Sequence, residues 1–366
     1  MTEKSSTTRK PTDSQRSVVF RGDGEPRIPR DVIRRLVEFE ERCGIETDRY
    51  SLGGTLGKLE EKFARILGKE AAVFVPTGTL ANHLAIRKHC GLNPRVVLQE
   101  QSHLFNDTGD CASRLSGISL IPLAKGRPYY TLEELKAAVG LTNEGRVANP
   151  IGAVMIESPV RRQRGQVAPF EVMEEITAYC REQGIPTHLD GARLYMMSAA
   201  TGVKPREYAD KFDTVYISLY KYLGSTFGAI LAGSSDLIDG IYHDRRMFGG
   251  GLASVYMQAS LALIGSEGFE ERFNDAIAKA ADLFPSINDL DGIEVGQFKH
   301  GSNIFPAELG VEVDIERFTS ALQRHWVFVY DEGDPKRFHL TVNTTLLRQS
   351  NDELVEAFRN ALKESR

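Results

Sequence analysis

Thr187-His188-Leu189-Asp190-Gly191-Ala192-Arg193 and, about thirty residues later, Ser218-Leu219-Tyr220-Lys221-Tyr222-Leu223-Gly224 decide how this chain is read. Each piece accompanies a short run of β-branched, aromatic or aliphatic residues, the composition of a buried strand. An acid, an arginine and a lysine therefore emerge at strand ends. In an open α/β sheet such ends converge on one crevice, where ligands bind. A lysine inside so apolar a run costs free energy unless it is paired or chemically used, so Lys221 does not read as a solvated surface lysine. Desolvation also lowers a lysine's pKa, which favours imine chemistry. Asp190 keeps a second reading: taken alone, it is better explained as the N-cap of a helix from Ala192 to Ala200.

Outward from these stretches, strand-like and helix-like patterns alternate. Leu56, Leu59, Phe63, Ile66 and Leu67 recur at helical spacing within 55–69, and Gly68 ends the pattern. Seven strand candidates follow, at 71–76, 95–100, 117–123, 151–157, 185–190, 214–220 and 228–232. Helical stretches separate them, notably 80–89 and the amphipathic 170–183 that Gly184 closes, so βαβ units around a mostly parallel or mixed sheet of these seven strands are expected. Beyond Gly249-Gly250-Gly251 the texture changes. A long helical stretch from Ala253 to about Leu290 leads to short strands near 293–298, 303–308, 326–330 and 338–342, with a final helix over 352–363. The expected division is a disordered tail over 1–18, an N-terminal segment over 19–50, a large α/β domain over 51–255 and a small C-terminal α+β domain over 256–366.

Composition bounds the class. The 366 residues are 41% hydrophobic and 26% charged, ordinary for a soluble globular protein. A net charge of −5 gives no electrostatic reason to expect nucleic acid or an anionic membrane as partner. Cys43, Cys90, Cys111 and Cys180 are scattered without CxxC pairing, which fits a reducing cytoplasm better than a zinc site or a disulfide framework. No apolar run is long enough to span a bilayer. Residues 1–16 read as a solvated tail, because Glu3 and Asp13 break the acid-poor composition of a transit peptide.

Several motifs could serve the same crevice, and each has a plainer reading. Pro76-Thr77-Gly78-Thr79 lies between a strand and a helix, where backbone N–H groups and the two hydroxyls could cradle a phosphate; plain helix capping explains it as well. His103 follows a strand and could stack on a flat heteroaromatic ring or carry a proton, or be a partly buried loop histidine. His188 reads as a strand residue facing away from Asp190's neighbour on the pleat. His83 and His89, six apart on one helix, do not share a face, so a metal pair is not expected. Arg245-Arg246-Met247-Phe248 before the three glycines is either a hinge with solvated basic residues or an anion-binding loop. The Glu157-Ser158-Pro159 turn with Arg161, Arg162 and Arg164 could line the crevice, although a solvated basic loop is the simpler reading. An acid held near a lysine in such a crevice is what pyridoxal phosphate (PLP) chemistry needs: the lysine forms a Schiff base, and the acid pairs with the ring nitrogen to keep the ring an electron sink.

Taken in order, 74–82 (Phe-Val-Pro-Thr-Gly-Thr-Leu-Ala-Asn), Ser102-His103, Ile156-Glu157, 188–193, the Lys221 segment and 246–251 resemble the threonine aldolase branch of the fold-type-I PLP enzymes, the β-eliminating lyase family. The resemblance implies a role for each matched position. Lys221 would carry the imine to the cofactor, Asp190 would hold the pyridine nitrogen, and His103 would stack on the ring. Thr77, Gly78 and Thr79 would bind phosphate, with Thr77 standing where the family commonly has Ser. Arg193 would contact the phenolic oxygen and the substrate carboxylate, and Arg245 or Arg246 would reach a phosphate across a subunit interface. Two departures bear on substrate. Arg21-Gly22-Asp23-Gly24 lacks a hydroxyl that the family uses on the carboxylate, and its second carboxylate-binding Arg falls near His339, with Arg337 on the same strand face two residues earlier.

The expected activity is retro-aldol cleavage of a β-hydroxy-α-amino acid to glycine and an aldehyde, with His103 or a water it positions taking the β-hydroxyl proton. Two alternatives stand beside it: β-elimination on a related amino acid, and a non-catalytic PLP-binding relative. A homodimer or homotetramer with shared active sites is implied by the same resemblance.

Overall fold

The computed structural model describes residues 15–144, 146–330 and 332–366. The larger part of the expected N-terminal tail lies outside these residues. Ser17 and Val18, at its end, are buried.

The chain divides into two compact units: Ile33–Glu267, and the described part of 1–32 together with Gly268–Arg366. Twelve strands occur among the described residues. β1 (Val18–Val19) belongs to the smaller unit. The larger unit contains β2 (Ala71–Val75), β3 (Arg95–Gln99), β4 (Ser119–Leu123), β5 (Ala153–Glu157), β6 (Thr187–Asp190), β7 (Thr214–Ser218) and β8 (Ala229–Gly233). They form one seven-stranded sheet in the order β2-β8-β7-β6-β5-β3-β4. β8 runs antiparallel to both its neighbours, and the remaining pairs are parallel. The seven-stranded sheet expected from the alternating pattern is therefore present, and it is mostly parallel.

Its local causes are visible. β5, β7 and β8 are buried at every position, the near-continuous apolar run of a strand covered on both faces. The helix Gly54–Leu67 buries Leu56, Leu59, Phe63 and Leu67 along one stripe, and Gly68, at φ 65°, stops it by returning its N–H to Arg65. The helix Gly78–Cys90 is buried on more than one side. Ala81, Leu84 and Ala85 pack with Val73, Val75 and Leu231, whereas Ile86 and Cys90 pack with Val96, Leu98 and Met155. Burying each Leu or Ile side chain there contributes roughly 1.5–3 kcal/mol, so the sheet itself fixes where this helix begins.

The consequence for chemistry is geometric. The C-terminal ends of β2, β3, β5, β6 and β7 share one edge with the N-terminal end of the antiparallel β8. Between β3 and β5 the order of the strands reverses, the place where open α/β sheets leave a crevice.

In the smaller unit, β9 (Ile293–Val295), β10 (Ile304–Leu309) and β12 (Arg337–Thr341) form an antiparallel sheet in the order β12-β10-β9, and β11 (Val327–Phe328) pairs in parallel with β1. The single long helix expected over 253–290 is instead two, Tyr256–Ser266 and Phe269–Asn288. The break falls at Glu267-Gly268, where Gly268 takes φ 57° and leaves the helical path.

Candidate active site

A cavity of about 310 Å³ opens at the edge where those strand ends meet. Seven residues singled out from the sequence line it: Thr77, Gly78 and Thr79 after β2, His103 after β3, Asp190 and Arg193 at the end of β6, and Lys221 after β7. Residues distant in sequence thus meet because each follows a strand of the same sheet.

The turn after β2 combines two readings. Thr77 caps the helix Gly78–Cys90, its Oγ1 accepting the Leu80 N–H at 3.1 Å, while all three residues face the cavity. Gly78 is required by a close approach: a Cβ there would lie 2.0 Å from the Tyr216 hydroxyl. Asp190 does not serve as a helix N-cap, since the helix Leu194–Thr201 is capped at Arg193. Instead its Oδ2 accepts from Asn82 Nδ2 at 2.6 Å and its Oδ1 from the Ala192 N–H at 3.1 Å. Only 2% of Asp190 is exposed, so these two donors hold the carboxylate in one orientation.

Glu157, at the end of β5, also lines the cavity, and its carboxylate accepts the backbone N–H groups of His103 and Arg161. Burial first, then the nearby charge of Asp190, pushes its pKa up to about 7. His103 is shifted the other way. Burial lowers its pKa, the Asp190 charge opposes that, and Lys221 and Arg161 add to it, so the imidazole is neutral at neutral pH and can accept a proton.

Other expectations change. Arg161 lines the cavity rather than belonging only to a solvated loop, and it approaches Asp107 at 3.7 Å. Arg162 stays outside the lining and pairs with the same Asp107 at 2.6 Å. Arg245 is not a solvated hinge residue: it is fully buried within the helix Ile241–Met247, donating to the carbonyls of Phe74 (2.7 Å) and Ser51 (3.1 Å). Arg246 is exposed and lies over the Tyr50 ring at 4.8 Å. Arg337 and His339 sit in the smaller unit on one face of β12. Arg337 pairs with Glu308 of β10 at 3.1 Å, and His339 Nδ1 lies 2.7 Å from Glu332 with its ring stacked on Phe298. Among the described residues no group of three or more His, Cys, Asp or Glu side chains could hold a metal ion.

Sequence reasoning gave no role to Asn82, Tyr216, Tyr220 or Phe227, although the last three line the cavity. For Asn82 a signal existed: an amide at a position buried by both neighbouring cores needs partners. For the aromatics there was none, because an apolar strand residue looks alike whether it faces a core or a cavity.

The donor set suits a flat anionic heteroaromatic aldehyde. It offers a lysine for its carbonyl, a carboxylate for a ring nitrogen, an imidazole for its face, and hydroxyls with a helix N-terminus for a phosphate.

Similarity to known proteins agrees. The family model described as β-eliminating lyase matches residues 38–306. Low-specificity L-threonine aldolase 1 of Arabidopsis thaliana is 25% identical over 353 residues, 95% of this chain and 97% of that protein. Low specificity L-threonine aldolase of Saccharomyces cerevisiae is 32% identical over 210 residues, covering 57% of this chain and 53% of that protein. The solved structure of a Listeria monocytogenes protein described as "a putative L-allo-threonine aldolase" superposes with a TM-score of 0.79 at 29% identity, over 97% of this chain and 98% of that one. With nearly three quarters of its length matched, the chain belongs to the β-eliminating lyase family.

Proposed function

We propose that the protein is a PLP-dependent carbon–carbon lyase that cleaves a β-hydroxy-α-amino acid to glycine and an aldehyde. The observation that carries this reading is the convergence of Lys221, Asp190, Arg193, His103 and the Thr77-Gly78-Thr79 turn on one cavity at the sheet edge. When bound, PLP supplies an electron sink for the pair of electrons left at Cα. The protein does the rest. Lys221 Nζ would hold the cofactor covalently, and Asp190 would pair with its ring nitrogen. Gly78 and Thr79, with the Thr77 hydroxyl, hold the phosphate. Arg193 holds the phenolic oxygen and the substrate carboxylate. His103 covers the ring and, being neutral, takes the β-hydroxyl proton at an imidazole nitrogen as the Cα–Cβ bond breaks.

The substrate is a small amino acid, and its carboxylate draws a second contact from β12. His339 is the better candidate there, because Glu332 and Phe298 fix its ring whereas Arg337 is engaged by Glu308. Two or four copies share active sites, with Arg246 reaching a phosphate of the neighbouring copy. Assembly is supported by the apolar residues left exposed in the larger unit: Ile33 (63%), Val37 (52%), Met247 (61%) and Met257 (47%). The protein works in the cytoplasm. In support, Cys43, Cys90, Cys111 and Cys180 are all unpaired thiols, the state a reducing compartment maintains.

Incubation of the PLP-loaded protein with L-threonine or L-phenylserine tests the reading. Glycine and aldehyde in equal amounts are expected. Ammonia and a 2-oxo acid would instead establish β-elimination.

A further inference from the structure

Behind Asp190, away from the cavity lining, runs a chain of buried polar groups that the proposed chemistry does not use. Asn82 Nδ2 donates to Asp190 Oδ2 at 2.6 Å, and Asn82 Oδ1 lies 2.9 Å from His188 Nε2. His188 Nδ1 is 2.8 Å from Thr214 Oγ1, which in turn is 2.7 Å from His89 Nε2. Asn82, His188 and Thr214 are each completely buried.

Their directions are fixed by elementary inventory. A carboxylate only accepts, so the amide nitrogen of Asn82 must face Asp190 and its oxygen must face His188. His188 Nε2 therefore carries the proton. In a neutral ring Nδ1 is then an acceptor, so the Thr214 hydroxyl donates to it. Thr214 Oγ1 is left to accept from His89, whose Nε2 must be protonated too. Burial keeps both rings neutral, lowering the pKa of His188 to about 3 and of His89 to about 4. Every link then has one allowed polarity, pointing from His89 to the carboxylate. An amide passes no proton, so the chain can orient and polarise but cannot shuttle.

We propose that His89, Thr214, His188 and Asn82 form a positioning relay that sets the orientation and charge distribution of Asp190 toward a cofactor ring nitrogen. The inference rests on the PLP reading and extends it beyond the cavity. The helix Gly78–Cys90 contributes to both ends: its first residues form the phosphate turn, Asn82 follows one turn later, and His89 lies near its C-terminus. One rigid element thereby ties the position of a phosphate to the aim of Asp190. Satisfied buried networks of this kind are worth more than single deletions suggest, because each bond polarises the next.

The test uses full-length PLP-loaded protein and two variants, Thr214→Val, which keeps shape but removes the hydroxyl, and Asn82→Ala. We expect kcat to fall about fivefold for the first and about 50-fold for the second, with KM for the amino acid within about twofold, as for outer partners of an active group. The absorbance band of the bound cofactor should shift in both. In an Asp190→Ala background, Asn82→Ala should cost less than about twofold further, since it acts only through Asp190. Loss of thermal stability with an unmoved band, an unchanged kcat and fully additive effects would overturn the relay. A second measurement does not need the cofactor. Nitrogen-15 NMR of histidine-labelled apoprotein should show His188 and His89 as neutral Nε2–H tautomers, and an Nδ1–H tautomer at His188 would break the chain of donors. Wild-type protein that takes up no PLP would sink the cofactor reading and the relay's task together, whereas wrong tautomers in a PLP-binding protein would sink the relay alone.

Discussion

The large sheet and the small one treat charged residues in opposite ways. β5 and β6 are buried along their whole length, so Glu157, His188 and Asp190 stand in surroundings where an ionisable group is expensive. Each is matched by named donors or acceptors, and Lys221 follows the adjacent buried strand β7 by three residues. β12 alternates instead: Phe338 and Leu340 are buried, while Arg337, His339 and Thr341 face the other way. There Arg337 stands directly opposite Glu308 in the β10 register, an ordinary cross-strand ion pair on a polar face. A charged residue in a fully buried strand thus signals chemistry. In an alternating strand the same residue type carries little information.

Four changes press on this contrast, in descending size. Lys221→Ala should lower kcat/KM by about 10³-fold or more and abolish the absorbance band of the bound cofactor; Asp190→Asn should keep part of the cofactor and cost about 10²-fold in kcat. Turnover near wild type in either would remove the buried-strand argument. In the small sheet, His339→Ala should raise KM about tenfold while Arg337→Ala changes KM by less than about twofold and stability by less than about 1 kcal/mol, as for an exposed pair. No KM effect at either position would mean that β12 is only a polar face, and a larger one at Arg337 would make Arg337 the carboxylate contact. Steady-state kinetics on L-threonine separates these outcomes.

A separate effect, read in stability rather than in turnover, is on pH dependence. His188 has a folded pKa near 3 against an ordinary 6.5, so the unfolded chain binds its proton first as pH falls. The stability it permits is complete above about pH 6.5 and is lost progressively on acidification towards pH 3. Any folded value well below 5 gives the same loss between pH 6.5 and 5, about 1.7 kcal/mol. Wild type should therefore lose more stability than His188→Gln over that interval in chemical denaturation. Parallel curves for the two proteins would mean that His188 is not held neutral by burial.

Much of the site was legible because strand ends in a doubly covered sheet are few, and the residues on them were chemically conspicuous. Thr77, His103, Asp190, Arg193 and Lys221 were all visible in this way. Arg245 misled for the opposite reason: next to Arg246 and before three glycines it resembled solvent-exposed loop sequence, yet it lies in a helix whose packing turns it inward onto two carbonyls. Asp190 as an N-cap was likewise a sound local reading that a residue 108 positions away displaced. Nothing local to Asp190 reveals that Asn82 will be its donor.

What the sequence determined by itself was the alternation of buried strands with amphipathic helices, the acid–lysine pair at strand ends and the family to which they belong, because periodicity and composition act over a few residues. Tertiary structure alone decided that β8 runs backwards, so that Phe227 joins the cavity at its N-terminal end, and that Glu157 is buried enough to bind a proton near pH 7. It also decided that His89, Thr214, His188 and Asn82 stand in one line behind Asp190. Those facts depend on strand order and on what is excluded from water, and both arise only when segments far apart in the chain are packed together.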